Sequence, residues 1–391
     1  MKNKIIALVL ALILCMSLFA GCGSTAEAPA EAPVEDDTAA TDSTEAAEPT
    51  VYTTFDYDAA YASYDPNAVV FTVNDIEITW EEYYGWLYSI IEQYEMYLGT
   101  EFAWEDLYSE TMTLEDYAKY YTETMCAQYA IVNAMAKEAG LELTDDQIAS
   151  IEELLASDAV NYTNGDVDAF VEFLESTYMD LEYYYYIQAS SIYYQGLYEY
   201  YFGVDGDNIS DEEVKDFINT NGFLYAKHIL FLTQDSATGE SLDDAAKAEK
   251  YALAEDTLAQ LQACHTQEEL LAKFDELMNS LSEDGGLASA PNGYYFLPGE
   301  MVTEFEEGTK ALEPYSISDI IESAYGYHII LRQPITPDSI YDTGYSFRTL
   351  ASQYAFDNMM SQKFTEAVFS YTEEFSDFSI ANIMNTMEVT Q

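Results

Sequence analysis

Positive charge is scarce in this chain. Its 391 residues carry 13 Lys and Arg against 72 Asp and Glu, a formal net charge of −59, and the only arginines are Arg332 and Arg348. So acidic a surface repels phosphates and offers no basic stripe to neutralise them, which excludes nucleic-acid binding. It attracts cationic segments and metal cations instead, weakly and in a salt-dependent way. Cysteine is equally sparse. Cys15, Cys22, Cys126 and Cys264 form neither a disulfide framework nor a metal-ligand spacing, and the last two are expected to be buried thiols. Long apolar runs are absent but for Ile5–Ala20, which is shorter than the roughly 20 residues that a membrane helix needs. Histidine occurs only at His228, His265 and His328.

What the sequence does have begins at its N-terminus. Lys2 and Lys4, the apolar run and Gly21-Cys22-Gly23-Ser24 describe a secretory signal peptide over residues 1–21. Leu18-Phe19-Ala20-Gly21-Cys22 resembles a bacterial lipobox. The resemblance implies cleavage before Cys22, a lipid on its sulfur and anchorage to a membrane by two acyl chains. Residues 22–66 are rich in Ala, Glu, Asp, Thr and Pro without apolar periodicity. They cannot bury enough surface to offset ordering entropy and are expected to be a disordered tether.

The remainder can fold: 49% of the chain is hydrophobic, enough for two or three domains with cores. Val69-Val70-Phe71-Thr72-Val73 reads as a strand ending in an Asn74-Asp75 turn, and Thr79 with Glu82 reads as a capping box. Helical patterns follow over Thr113–Ala139, Thr144–Ala156 and a long stretch from Val167 to Tyr201, with a shorter one from Asp211. Residues 67–222 are thus expected to be a helical domain. Its rings at Tyr183 to Tyr186, Tyr193 and Tyr194 can either pack the core or face a client.

From Phe223 a β-α-β-α-β-β order is expected. Leu224, Ala226, His228, Leu230 and Leu232 share one strand face at period two. Asp243–Ala263 and Thr266–Leu281 read as helices, Gly293–Phe296 as a strand, Thr303–Leu312 as a helix, and Ile317–Ile321 and Gly326–Leu331 as the last strands. Beyond Pro334 and Pro337, a helical pattern runs from Phe347 to about Tyr371.

Two histidines in matching apolar runs, Ala226-Lys227-His228-Ile229-Leu230 and Tyr325-Gly326-Tyr327-His328-Ile329-Ile330, flank Ser282-Glu283-Asp284 and Glu300-Met301-Val302-Thr303-Glu304-Phe305. This set resembles the parvulin family of peptidyl-prolyl cis/trans isomerases over residues 223–334. The strand, Asn-Asp turn and Thr79-Trp80-Glu81-Glu82-Tyr83 start, with Ile209-Ser210-Asp211-Glu212-Glu213-Val214 further on, resemble the chaperone domains of secreted SurA- and PrsA-type foldases. The resemblance implies an α+β fold: a helical chaperone domain, a four-stranded antiparallel sheet with flanking helices, and a C-terminal segment (335–391) returning to the chaperone domain.

It also implies a chemistry. Rotating an X-Pro bond breaks amide resonance against a barrier of about 18–20 kcal/mol, but no covalent bond changes, so neither nucleophile nor cofactor is needed. Met301 and Phe305 match the family's proline-pocket residues, and Phe296 the aromatic that closes the pocket. Asp284 stands where an acidic residue or cysteine meets the peptide carbonyl, and His228 and His328 match the paired histidines. Partners would be unfolded exported proteins. Two departures stand out: Gly293 where an apolar pocket residue is usual, implying a wider or shallower pocket, and Pro314-Tyr315-Ser316 in place of Pro-Gly-Glu. Residues 231–241 hold no Lys or Arg, so phosphoserine-proline specificity is not expected. A non-catalytic holdase on the same fold, or a surface adhesion or assembly lipoprotein, are the competing readings.

Overall fold

The computed structural model describes residues 51–390 apart from Thr343. The leader, Cys22 and the tether up to Thr50 lie outside the described residues. The chain divides into two units, one running through Tyr200 and resuming at Met359, the other spanning Tyr201–Asn358.

In the first unit, β1 (Val51–Phe55) and α1 (Tyr57–Tyr61) precede β2 (Val69–Val73) and β3 (Ile76–Thr79). Order therefore begins before Pro66, the expected end of the tether. Val51–Phe55 pairs antiparallel with Thr386–Thr390 at the far end of the chain, and Asp56 caps α1 by accepting from the Ala59 N–H at 3.0 Å. Neither the distant partner strand nor its register shows in the local composition. Asn74 and Asp75 turn β2 into β3 with φ of 48° and 67°, the two left-handed residues of a tight hairpin.

The capping box of Thr79 and Glu82 starts α2 (Trp80–Leu98). Its buried Trp80, Tyr83, Tyr84, Leu87, Ile91 and Tyr94 recur at helical spacing and form one apolar face. Similar boxes open α3 (Leu114–Glu138) and α4 (Asp145–Thr163), the latter longer than its pattern implied. The stretch from Val167 is two helices, α5 (Val167–Ser176) and α6 (Leu181–Phe202). Tyr178 breaks it at φ 58°, and Asp180 starts a fresh helix by accepting from the Tyr183 N–H at 2.6 Å. Tyr184 is buried, and the Tyr183 hydroxyl accepts from the Trp86 indole at 2.9 Å, so these two rings belong to the core. Cys126 is buried and free, and Cys264, in the second unit, is half-buried and free.

In the second unit, Ser210 and Glu213 box the start of α7 (Asp211–Asn221). Then come β4 (Leu224–Leu232), α8 (Asp244–Gln262), α9 (Gln267–Leu281), β5 (Tyr294–Phe296), α10 (Thr303–Lys310), β6 (Ile321–Glu322) and β7 (Gly326–Arg332). The four strands form an antiparallel sheet in the order β5-β4-β7-β6, giving the α+β class. β6 is shorter than expected, because Ile317 makes only an isolated bridge to Leu331.

Central β4 and β7 are buried on both faces. Ile229, Phe231, Ile329 and Leu331 pack under α8 and α9 against Leu261, Phe274 and Met278. Each such side chain stabilises the fold by about 1.5–3 kcal/mol. Leu224, Ala226 and Ile330 face the other way, toward Phe296 and Phe305. It is on this second face that His228 and His328 lie.

The unit continues through β8 (Ile340–Asp342) and β9 (Tyr345–Ser346) into α11 (Phe347–Thr365). Arg348 holds the start of α11 to Asp211 at 2.5 Å, Asp338 at 3.0 Å and the Ile209 carbonyl at 2.9 Å. The helix stops at Thr365, short of Tyr371, because the residues after it enter a sheet of the first unit. There β10 (Phe369–Tyr371) pairs with β2, followed by α12 (Ile380–Ile383) and β11 (Thr386–Thr390) on β1.

Candidate active site

In the β4–β7 ladder, His228 lies opposite Ile330 and Leu230 opposite His328. The two histidines are therefore diagonal neighbours on one face. Their rings are parallel within 12°, with the two Nδ1 atoms 3.0 Å apart. His228 Nε2 lies 3.0 Å from Asp284 Oδ2, and His328 Nε2 lies 2.7 Å from Ser323 Oγ.

A carboxylate only accepts, so His228 Nε2–H donates to it. With both rings neutral, one proton placement pairs every nitrogen. His328 Nδ1–H donates to His228 Nδ1, and the Ser323 hydroxyl donates to His328 Nε2. The neutral form of His328 is favoured by its surroundings. Burial first, and then the neighbouring His228, push its pKa down to about 4 against the pull of Asp284.

Asp284 is carried on the turn after α9, and that turn is tied to β4. The Leu230 N–H donates to Ser282 Oγ at 3.1 Å, the Glu283 N–H to the Leu230 carbonyl at 2.8 Å, and the Leu232 N–H to Glu283 Oε2 at 2.8 Å. Lys250 pairs with the other Glu283 oxygen. Burial would raise the carboxyl pKa of Asp284. Hydrogen bonds from His228, from the Tyr294 hydroxyl at 2.6 Å and from the Gly286 N–H at 3.0 Å outweigh it and hold the group well below the usual carboxylate range.

These groups border a cavity of about 510 Å³, a size that suits a small ligand or a peptide side chain. Met301, Phe305, Leu230 and the Tyr294 ring supply its apolar walls, and His228, Asp284 and His328 its polar side. Phe305 stands edge-on to both histidines, at 5.1 and 5.7 Å between ring centres.

Of the residues expected in the site, the structure brings His228, Asp284, His328, Met301 and Phe305 together. Phe296 is fully buried and packs 5.7 Å from Phe305, and it is not among the residues that line the cavity. Cys22 lies outside the described residues. Two residues escaped the sequence reading: Ser323, which ends the histidine chain, and Tyr294. Period-two alternation with Phe296 was the available signal for Tyr294, since it puts both rings on the histidine face of β5.

The rotamase family described as PPIC-type PPIASE domain matches residues 228–333. The chain is similar to foldase protein PrsA of Halalkalibacterium halodurans, 33% identical over 138 residues, covering 32% of this chain and 40% of the relative. It is also similar to foldase protein PrsA of Geobacillus sp. WCH70, 34% identical over 126 residues, covering 31% and 36%. Chaperone SurA of Nitrosospira multiformis is 44% identical over 62 residues, covering 15% and 13%. The matched segment thus spans less than half the length of these relatives. Among solved structures, PrsA of Bacillus cereus is 17% identical, covering 70% of this chain and 97% of that one, with a TM-score of 0.27. Residues 228–333 belong to the PPIC-type, that is parvulin-type, peptidyl-prolyl isomerase family, in a chain similar to the PrsA and SurA foldases.

Proposed function

We propose that this protein is a lipid-anchored, extracytoplasmic foldase that isomerises X-Pro bonds in exported proteins and binds them while unfolded. In this reading residues 223–334 carry the catalysis, residues 67–222 hold the client, residues 335–391 complete the client-holding part, and Cys22 carries the lipid. Among the described residues no helix is long and apolar enough to cross a membrane. The observation that carries the catalytic reading is the joining of an apolar cavity to an ionised, three-fold hydrogen-bonded Asp284.

The chemistry follows from amide resonance. A proline ring seated against Met301 and Phe305 places its preceding carbonyl toward the polar side of the cavity. The planar amide puts negative charge on that oxygen, and the twisted amide loses it. An adjacent carboxylate repels the planar form more than the twisted one, so the interaction favours the transition state over the ground state. His228, held by His328 and Ser323, orients the carboxylate from the core side.

The test is exchange NMR on a panel of X-Pro peptides with the full chain and its Asp284→Ala variant. Acceleration that falls at least about tenfold in the variant supports the reading. A folded wild-type protein that accelerates none of the peptides would point to a holdase.

A further inference from the structure

Gly293 and Tyr294 reverse what the parvulin resemblance leads one to expect at the start of β5. At Gly293, where an apolar pocket side chain is usual, φ is 98° and an added Cβ would lie 2.5 Å from the Ala226 carbonyl oxygen. No side chain can project from there. The wall is supplied instead by the next residue, Tyr294, opposite the small Ala226 in the β4–β5 ladder. Tyr294 also brings a hydroxyl, which donates to Asp284 Oδ2 at 2.6 Å, the same oxygen that His228 Nε2 approaches at 3.0 Å. Gly286 leaves room for this contact: a Cβ there would lie 2.3 Å from the Tyr294 oxygen. Three positions on two segments are thus shaped around one hydroxyl–carboxylate bond.

We propose that Tyr294 is a positioning residue of the site, whose hydroxyl fixes the Asp284 carboxylate from the cavity side as His228 does from the core side. Its catalytic meaning rests on the isomerase reading above; the positioning itself does not. The other groups facing Asp284 are His228 on β4, with His328 of β7 behind it, and the Gly286 N–H on its own turn. Glu283 precedes it and is paired with Lys250, and Glu300 and Tyr325 lie on the cavity lining. The lining residues include no Lys or Arg, and the hydrogen bonds from His228, Tyr294 and Gly286 do most to keep the carboxylate charged. Removing one of three donors brings its titration back toward the ordinary range.

The experiment follows the His228 Nε2–H signal by imidazole 15N NMR in the full chain as pH is lowered, which is tractable because there are only three histidines. His228 Nε2 reports the protonation of its partner Asp284. Tyr294→Phe removes the hydroxyl, and Gly286→Ala displaces it while keeping the ring. Both variants are expected to raise the midpoint by about one pH unit, and the acid limb of isomerisation activity by the same amount. Midpoints unchanged in both would overturn the proposal, because a merely packed tyrosine would leave the titration where it was. Wild-type protein inactive on every peptide, with the midpoint shift still present, would sink the isomerase reading and leave the positioning role standing.

Discussion

His228 and His328 are 100 residues apart in the chain, yet their Nδ1 atoms lie 3.0 Å from each other in the interior of one sheet. A shared proton between them is possible because β4 and β7 pair antiparallel with these residues on the same face. The contact links the sheet core to Asp284, and the acid stability of the unit follows from it.

His328 titrates at about 4 when folded, below its ordinary 6.5. Its unfolded form therefore binds more protons between those values. The contribution of the neutral ring is complete above 6.5 and is lost as pH falls through 4, about 3 kcal/mol at most. Asp284, also depressed, adds loss in the same direction over the carboxylate range. Urea denaturation at pH 7, 5.5 and 4.5 should show stability dropping, with a shallower drop in His328→Gln. Equal slopes in the two proteins would contradict this.

Phe296 and Met301 should separate stability from binding. Phe296 is fully buried, so Phe296→Ala is expected to cost about 3–5 kcal/mol. Met301 is half-buried and lines the cavity. Met301→Ala should cost little stability but lower kcat/KM about tenfold, the loss of one apolar contact to the proline ring. Denaturation midpoints and peptide kinetics on both variants decide it, and a reversed pattern would mean Phe296 is the pocket residue.

Tyr315 occupies the left-handed region at φ 67°, in the turn where the resemblance has glycine. Its N–H donates to the Arg332 carbonyl at 2.8 Å, so the backbone is held there despite the cost to a residue with a Cβ. Tyr315→Gly should raise stability by about 0.5–1 kcal/mol. A lower thermal midpoint would show that the ring's packing outweighs the relief of strain.

Charge should govern substrate choice. Glu283, Asp284 and Glu300 line the cavity with no Lys or Arg among the lining residues. Peptides with glutamate or phosphoserine before proline are expected to be isomerised several-fold more slowly than those with alanine or lysine. The gap should narrow as salt screens the field. A preference for the phosphorylated peptide would refute this account of the cavity.

The local elements were legible because their signals lie three or four residues apart. The boxes of Thr79 with Glu82 and Thr266 with Glu269 mark helix starts that the backbone adopts. Period two in β4 put His228 on one strand face, while Asp284 and His328 were singled out only by the resemblance to the parvulin family. Where reading failed, a distant partner decided the outcome. Phe369–Tyr371 continues a helical pattern until β2 takes it as a strand, and Val51–Phe55 lies in what composition marks as tether until β11 pairs with it.

The sequence by itself thus determined the helix starts and the strand and helix order from Phe223, and its parvulin resemblance the α+β class. Those depend on side-chain type at short spacing. Only the tertiary structure decided that Phe296 packs buried against Phe305, that Ser323 ends the histidine chain and that Tyr294 reaches Asp284. These depend on which strand faces which, and on a space left by Gly286 for a hydroxyl, which no local pattern encodes.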